Sequence, residues 1–328
     1  MTFTGDLDDE TTPSTRHPTI GCIGLGAMGA PMARRLLDAH GALVIHGRRH
    51  HSDLEAAGAT WAATPRELAE QTTAVLVMLP DLPQLESLLD GPDGLLAGRG
   101  ALLVMIGSTS SPTGVRALAD RITAATEGRV RVVDCPVSGG VDGAEAGTLS
   151  IMLGGDEADT DSAAEALAPC GSPVRLGPLG AGEVAKSCNQ MVVAATILAL
   201  GEASELAARS GIDLDVLWDL LGGGYAGSNL LTSRRAKLAT GDDSPSGAAK
   251  YMVKDLRFAD DVARATGVTP VLLPTLRAAF DEIVAAGLGE RDIAVTRRLV
   301  AQRHAAPPAP AAASQRHASA REAGSDYS

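Results

Sequence analysis

Two patterns of apolar residues divide the chain near residue 180. Before that point, short apolar runs alternate with stretches of helical periodicity; the runs are TIGCIGL, ALVIHG, AVLVMLP, ALLVMIG, VRVVDCPV and LSIMLGG. This alternation predicts a parallel, doubly wound sheet covered by helices. Beyond it, from GAGEVAKSCNQMVVAATILALGEASELAARSG onward, apolar residues recur only at helical spacing. The sequence therefore predicts an α/β domain followed by an all-α domain that a long interdomain helix enters.

The domain boundaries follow from the same patterns. We expect a disordered lead over residues 1–17, the α/β domain over 18–181, the helical domain over 182–302 and a disordered tail over 303–328. The lead is acidic and polar, and it lacks the basic start and apolar core of a signal peptide. The tail is rich in Ala, Pro and Ser, so burial cannot offset its loss of entropy on ordering.

Composition and charge exclude some classes of function. With 328 residues, of which 45% are hydrophobic, the chain can form one large or two ordinary domains, and we see no continuous apolar run long enough to cross a bilayer. The net charge of -12 argues against a nucleic-acid partner. Cys22, Cys135, Cys170 and Cys188 show no CxxC spacing, so neither a metal site nor disulfides are predicted, which fits a reducing cytoplasm.

A glycine-rich turn, GLGAMG, lies between the first apolar run and a predicted helix. Gly24, Gly26 and Gly29 give the spacing GxGxxG. Gly24 permits a tight turn, Gly26 lets the backbone approach a pyrophosphate, and Gly29 allows the helix to pack closely on the strand. An ordinary tight turn is the alternative for the motif alone. The preceding strand and the following helix favour a dinucleotide-binding Rossmann domain.

The end of the second predicted strand, ALVIHGRRHH, indicates which dinucleotide binds. An Asp or Glu there would bind the ribose hydroxyls of NAD, but no carboxylate follows this strand. Arg48 and Arg49 occupy the place where the extra phosphate of NADP would lie, and guanidinium groups suit phosphate by charge and geometry. NADP(H) is therefore predicted over NAD(H), with a solvated basic loop as the alternative.

Six ordered motifs resemble the β-hydroxyacid dehydrogenases, the group of 3-hydroxyisobutyrate dehydrogenase and tartronate semialdehyde reductase. They span roughly residues 18 to 300 and read GLGAMGAPMARRL, MLPD, GSTSSP, DCPVSGGVDGAEAGTLSIMLGG, GAGEVAKSCNQ and KDLRFA. The resemblance implies an active site between a Rossmann domain and a helical domain for substrate binding and dimerisation. It also implies a homodimer or tetramer and a small carboxylate substrate. Composition and cysteine spacing, as above, predict no metal, nucleic-acid or membrane partner.

The resemblance assigns catalysis to the long helix. Lys186 would exchange a proton with the substrate hydroxyl, although a lysine on a helix is usually solvated surface. Such a role needs a pKa lowered from about 10.4 by burial and by the start of a helix. Asn189 and Gln190 would orient the substrate. Gln190 replaces the second asparagine of the family pattern and is one methylene longer, which indicates either a reshaped pocket or impaired catalysis.

Further contacts follow from the other motifs. Ser138, Gly139 and Gly140 would cradle the substrate carboxylate, a plain Gly-Gly turn being the alternative. Lys254 would touch cofactor and substrate, and Phe258, like Tyr225, is placed to touch substrate. The predicted cofactor contacts are Gly24, Leu25, Gly26, Ala27, Met28, Gly29, Arg48, Arg49, Met78, Leu79, Pro80, Ser108, Thr109 and Lys254.

These residues predict an oxidoreductase that interconverts a small 3-hydroxy acid and its semialdehyde or keto form. The alternatives are an NADPH-dependent enzyme similar to imine reductases and an NADP(H)-binding protein with impaired catalysis. The PVSGG motif together with Lys186 favours the hydroxy acid chemistry. Two more departures from the family pattern, Ile106 for an aspartate and Arg35 for an asparagine, leave impairment open.

Overall fold

The computed structural model describes residues 19–305. The predicted disordered lead and nearly all of the predicted tail lie outside the described residues. Only residues 303–305, the start of the predicted tail, are among the described residues. The last helix runs from Thr296 to Ala305, so the boundary expected after residue 302 falls inside it.

The first half alternates strands and helices. Its strands are β1 (Ile20–Ile23), β2 (Val44–His46), β3 (Thr60–Trp61), β4 (Ala74–Val77), β5 (Leu102–Ile106), β6 (Val130–Asp134), β7 (Val137–Ser138), β8 (Leu149–Gly154) and β9 (Gly171–Gly177). Its helices are α1 (Gly29–His40), α2 (Ser52–Ala56), α3 (Pro65–Gln71), α4 (Leu82–Glu86), α5 (Pro112–Thr126), α6 (Gly140–Ala146) and α7 (Glu157–Leu167).

All nine strands form one sheet in the order β3-β2-β1-β4-β5-β6-β8-β7, with β9 beside β8. The pairs from β3 to β6 are parallel, whereas β8 runs antiparallel to β6 and β7. Side chains of each buried strand alternate between two apolar cores, so Leu76 faces one core while Val75 and Val77 face the other. The predicted Rossmann class is confirmed, and the carboxyl ends of β1, β4 and β5 meet at one edge.

Sequence patterns missed three strands, for different reasons. β7 (Val137–Ser138) was not separated from the single apolar run VRVVDCPV that also contains β6. β3 has only two residues, too few to show alternation. β9 pairs with β8, but its sequence GSPVRLG is largely exposed and carries no apolar run. Pairing with an already formed neighbour, rather than local hydrophobicity, sets such an edge strand.

Up to residue 305, the second half consists of helices, a short 3-10 turn over Ile293–Val295 and one isolated β-bridge between Ala248 and Asp292. The helices are α8 (Ala181–Arg209), α9 (Leu214–Gly222), α10 (Asn229–Thr240), α11 (Lys250–Thr266), α12 (Leu273–Ala285) and α13 (Thr296–Ala305). They surround a separate core centred on Trp218 and Phe280. α8 packs against β8 on one side and against α10, α11 and α13 on the other, so it joins the two halves.

α8 corrects one sequence expectation. By length and composition it could cross a membrane, with a mean hydropathy of 1.6 over its most apolar window, whereas no such segment was expected. Of that window 39% is buried. A long apolar helix that packs on a sheet and three other helices matches the core helix of a folded domain, which passes the same test.

Candidate active site

A cleft of about 1610 Å³ lies between the carboxyl edge of the sheet and the helical half. It reaches from the glycine turn after β1, past the ends of β2, β4 and β5, to α8, α10 and α11. Every predicted catalytic, cofactor and substrate residue except Phe258 lines it. Residues from most of the chain therefore converge on one surface.

The three glycines of the turn have different surroundings. Gly24 has a φ of +94°, and a Cβ there would lie 2.4 Å from the carbonyl oxygen of Met78. A Cβ on Gly29 would lie 1.8 Å from the carbonyl oxygen of Gly24, so only glycine lets α1 begin so close to β1. A Cβ on Gly26 would meet nothing within 4 Å. Gly26 therefore leaves open cleft where a pyrophosphate would approach the backbone, which fits a dinucleotide.

Two exposed arginines follow β2 at the far end of this cleft. Neither Arg48 nor Arg49 forms an ion pair with another described residue, and both line the cleft. The next residue, His50, is held elsewhere: its ring stacks on Trp61 with centroids 4.2 Å apart, and its Nδ1 lies 3.0 Å from a carboxylate oxygen of Glu55. Two unpaired guanidinium groups are thus free to meet an anion.

The loops after β4 and β5 are tied together by a hydroxyl. The buried Ser108 Oγ accepts a hydrogen bond from the Leu79 amide (2.9 Å) and lies 3.3 Å from the carbonyl oxygen of Val77, to which it donates. These bonds hold Met78, Leu79 and Pro80 beside Ser108 and Thr109 along one cleft wall. The amine of Lys254, from α11, donates to the carbonyl oxygen of Thr109 at 2.6 Å and so joins this wall to the helical half.

Lys186 lies in the second turn of α8 and is 7% exposed. Its Nζ donates to the carbonyl oxygen of Val137 (2.8 Å) and to Gln190 Oε1 (2.9 Å). Burial lowers the pKa of this ammonium below its ordinary value; the Asp255 and Glu183 carboxylates oppose that shift. Lowering the pKa makes the neutral, proton-accepting form of such a buried amine easier to reach.

Gln190 connects this amine to α11. Its Oε1 also accepts from Asn189 Nδ2 (3.0 Å), while its Nε2 donates to Asp255 Oδ2 at 2.6 Å. Asp255 is 5% exposed, and its other oxygen lies 3.2 Å from Lys254 Nζ. A carboxylate can only accept, so it fixes the amide with the nitrogen toward α11 and the oxygen toward Lys186. The sequence marks Asp255 within a motif but does not reveal this contact.

The predicted carboxylate cradle lies beside Lys186 and Asn189 in the same cleft. Ser138 Oγ donates to Asn189 Oδ1 at 3.2 Å, which links β7 to α8. Gly139 and Gly140 have φ angles of +139° and +66°, and a Cβ on Gly140 would meet nothing within 4 Å. The backbone at these glycines is therefore open to a bound group.

Two buried acids below Lys186 were missed by the sequence analysis. The Asp134 carboxylate, at the end of β6, accepts from the amides of Gly180 (2.7 Å) and Glu183 (2.8 Å), and so caps α8. Glu183 accepts from the Ser110 amide at 3.0 Å. Burial raises the pKa of both carboxyls, while the amide hydrogen bonds oppose the shift. Acidic residues in these motifs carry no local signal that they are buried.

Both aromatic side chains expected near substrate lie elsewhere. Phe258 is one turn beyond Lys254, whose Nζ is 5.2 Å from its ring centroid, and it does not line the cleft. Tyr225 is fully exposed and does not line it either. Tyr251 does. By helical spacing Phe258 shares the face of residues 251, 254 and 255, so it lies one turn beyond the end of the cleft rather than on another side of α11.

The two remaining departures from the family pattern lie outside the cleft lining. Ile106 is fully buried at the end of β5, where it packs in the sheet core. Arg35 donates from Nε to the carbonyl oxygen of Glu145 at 2.9 Å, which ties α1 to α6. Within residues 19–305, no three His, Cys, Asp or Glu side chains are grouped to bind a metal.

A glycine turn suited to a dinucleotide and a buried lysine in the same cleft define the class of protein, an NAD(P)-dependent oxidoreductase with a Rossmann fold. Residues 19–185 match the NAD-binding domain of 6-phosphogluconate dehydrogenase. Residues 180–300 match the NAD-binding domain of NADP-dependent 3-hydroxyisobutyrate dehydrogenase.

Individual relatives extend along nearly the whole chain. An NAD-dependent L-serine dehydrogenase from Pseudomonas aeruginosa is 33% identical, over 85% of this chain and 97% of the relative. A 2-hydroxy-3-oxopropionate reductase from Escherichia coli is 32% identical, over 83% of this chain and 94% of the relative. The crystal structure of 3-hydroxyisobutyrate dehydrogenase from Salmonella typhimurium aligns with a TM-score of 0.76 at 30% identity. The alignment covers 86% of this chain and 99% of that chain. The chain belongs to the β-hydroxyacid dehydrogenase family and is an NAD(P)-dependent oxidoreductase acting on hydroxy acids.

Proposed function

We propose that this enzyme interconverts a small 3-hydroxy acid and its semialdehyde, uses NADP(H) in preference to NAD(H), and moves the proton with Lys186. The observation that carries the proposal is the buried Lys186 amine in the same cleft as the glycine turn. The named relatives support the substrate class, since L-serine and 3-hydroxyisobutyrate both carry a carboxylate and a hydroxyl on carbon 3.

Lys186 is the proton carrier of the proposed reaction. A bound nicotinamide supplies hydride to the carbonyl carbon or takes it from the alcohol carbon. In oxidation, neutral Lys186 Nζ removes the hydroxyl proton as hydride leaves carbon 3; in reduction, the Lys186 ammonium gives a proton to the carbonyl oxygen. Gln190 Oε1 holds the amine in place, and Asn189 is held by Ser138 beside it. Ser138, Gly139 and Gly140 bind the carboxylate.

The preference for NADP(H) rests on Arg48 and Arg49. They are exposed to the cleft without an ion-pair partner among the described residues, and β2 ends in His46 rather than in a carboxylate. Replacing both arginines by alanine is expected to weaken NADP+ binding at least tenfold and NAD+ binding less than twofold. Arg34→Ala, on the exposed side of α1, is the control. Equal weakening of both cofactors would contradict the assignment.

The reaction is tested by following nicotinamide absorbance with 3-hydroxyisobutyrate, L-serine and D-glycerate, each with NADP+ and with NAD+. Lys186→Met keeps an unbranched side chain one atom shorter and removes the amine. We expect it to lower kcat at least 10³-fold and to leave the dissociation constant of NADPH within twofold. Lys250→Met, at an exposed ion pair, controls for loss of a lysine. Loss of NADPH binding in Lys186→Met would show that the lysine serves the cofactor instead.

We also propose that the protein forms a homodimer through α8. Val192 and Leu206 are 60% and 71% exposed, and Ala199 lies between them at a spacing of seven residues. Residues seven apart fall on one helix face. Val216 and Leu220 of α9 are 66% and 74% exposed. Large exposed apolar side chains on two neighbouring helices are typical of an interface.

A further inference from the structure

Arg234 of α10 faces the active-site cleft and is held in place from behind. Its side chain is 12% exposed, and its Nε lies 3.2 Å from Asp292 Oδ1. Asp292 is fully buried and accepts from Ser246 Oγ (2.5 Å) and from the amides of Gly247 (3.1 Å) and Ala294 (2.9 Å). The fixed Asp292 carboxylate attracts the guanidinium by charge, but the contact lacks hydrogen-bond geometry and leaves the buried Arg234 Nε without an acceptor.

The other edge of the guanidinium has only weak partners. Arg234 Nη1 donates to the neighbouring carbonyl oxygen of Ser233 (3.3 Å) and lies 3.7 Å from Asp142 Oδ2. The latter distance exceeds that of a hydrogen bond, and the Asp142 side chain is 76% exposed. Such an exposed pair contributes little binding energy. Asp142 also belongs to the other half of the molecule, two residues after Gly140 in the predicted carboxylate cradle.

That cradle contains no cation of its own. Ser138, Gly139 and Gly140 offer a hydroxyl and backbone amides. Two lysines line the same cleft, but Lys186 donates to Val137 and Gln190, and Lys254 to Thr109. Arg234 is the remaining cationic side chain on the helical side of the described cleft. It lies against Asp142, two residues beyond the cradle.

We propose that Arg234 binds the substrate carboxylate from the helical half, in place of Asp142, while Ser138 to Gly140 bind it from the Rossmann half. This inference rests on the proposed carboxylate substrate and adds a residue to that site. The planar guanidinium matches the two oxygens of a carboxylate. Asp142 then acts as a weak internal competitor. The site selects small hydroxy acids over neutral alcohols of the same shape. A neutral group cannot replace the Asp142 carboxylate beside Arg234, so it gains no ionic contact on binding.

The test uses calorimetry on the NADPH-loaded protein, which cannot oxidise a hydroxy acid, with 3-hydroxyisobutyrate and D-glycerate, each beside its methyl ester. We expect Arg234→Gln to weaken binding of both acids by about 10- to 100-fold, as for loss of a charge-assisted hydrogen bond. The esters are expected to bind the parent about as weakly as the acids bind Arg234→Gln. Arg234→Lys keeps the positive charge but loses the planar pair of N–H donors, so its affinity for the acids should lie between those of the parent and Arg234→Gln. Melting temperatures and NADP+ affinity report whether each variant is folded.

Asp142→Asn gives an effect of opposite sign. Removing the competitor should tighten acid binding by about two- to fivefold, the size expected for a weak exposed pair. Weaker binding in Asp142→Asn would show that the pair holds the two halves together, and would overturn the inference. Equal affinity of acids and esters for the parent would also overturn it. If the parent binds neither acid, the proposed substrate class fails with it; if the parent binds them and Arg234→Gln binds as well, only the role of Arg234 fails.

Discussion

Gln190 shows how one methylene changes the connections of an active site. The family pattern has asparagine at this position, and the shorter amide would be one bond short of spanning the same gap. Here one carboxamide reaches from Lys186 on its own helix to Asp255 on α11, at 2.9 Å and 2.6 Å. The departure that indicated a possible impairment therefore places the amine in contact with a chain of hydrogen bonds that crosses the helical half.

Asp255→Asn tests the negative charge of Asp255 apart from its hydrogen bond to Gln190. The asparagine oxygen can still accept from Gln190 Nε2, but the negative charge that raises the pKa of Lys186 is gone. The pKa of Lys186 should fall further, and the neutral amine needed for alcohol oxidation should form at lower pH. We expect the rising limb of kcat/KM against pH, measured in the oxidation direction, to move to lower pH.

Asp255→Ala removes the acceptor as well as the charge. It should also lower kcat by about 10- to 100-fold, because the amide is no longer oriented. Asp261→Asn, at an exposed pair on the same helix, should leave the profile where it is. A limb that stays in place in Asp255→Asn, or moves to higher pH, would mean that Asp255 does not act on the amine.

Gly26 gives a test of the cofactor cradle that does not disturb the fold. A Cβ there meets no protein atom within 4 Å, so Gly26→Ala should keep the melting temperature of the parent. It should nevertheless weaken NADPH binding by at least tenfold in a fluorescence titration, because the methyl group occupies the space of the pyrophosphate. Gly100→Ala, equally open and outside the cleft, is the matched control. Unchanged binding in Gly26→Ala would place the cofactor elsewhere.

At the scale of elements, α8 is fixed by a carboxylate from the sheet. The helix starts after Gly180, which has a φ of +89°, and it has no side-chain cap of its own. Asp134, at the end of β6, supplies the two missing acceptor contacts. A Cβ on Gly182 would lie 2.2 Å from the carbonyl oxygen of Met152, so the first turn rests directly on β8. These contacts set the distance of Lys186 from the sheet edge.

Asp134→Ala leaves two buried amides without a partner. We expect it to lower the free energy of unfolding by about 2–4 kcal/mol, the sum of a lost cap and of buried groups left unsatisfied. Asp213→Ala removes the cap of α9, which binds the amides of Asp215 and Val216 at an exposed end, and should cost only about 1 kcal/mol. Denaturant unfolding measures both. Equal losses of unfolding free energy in the two variants would show that the buried cap of Asp134 stabilises the protein no more than an exposed one.

At the scale of the whole molecule, the proposed dimer predicts a mass of twice 33.4 kDa in light scattering. Leu206→Glu together with Ala199→Glu places two charges on the exposed side of α8. Burying them in an interface is costly, so this variant should become a monomer at micromolar concentration. Val271→Glu, at a loop residue that is 95% exposed, should keep the mass of the parent. A parent protein that is monomeric throughout would contradict the proposal.

Local features were determined by the sequence alone. Apolar runs indicate β1, β2, β4, β5, β6 and β8, because a strand buried on both faces needs apolar residues throughout. The GxGxxG spacing predicts the turn because two of its requirements are local: Gly24 takes a positive φ, and a Cβ on Gly29 would meet the carbonyl oxygen of Gly24, five residues away. The order of motifs along the chain is also enough to identify the family. None of these inferences needs a contact between distant segments.

Only the tertiary structure decided which distant groups meet. The contact of Asp134 with Gly180 joins residues 46 apart, and that of Gln190 with Asp255 joins residues 65 apart. Whether an acidic residue is solvated or buried depends on how α8 and α11 pack on the sheet, and residue type does not encode that packing. The same packing holds Arg234 near the cradle and ends the cleft before Phe258. Side chains one turn apart on a helix face different neighbours, and only the packed helices show which side faces the cleft.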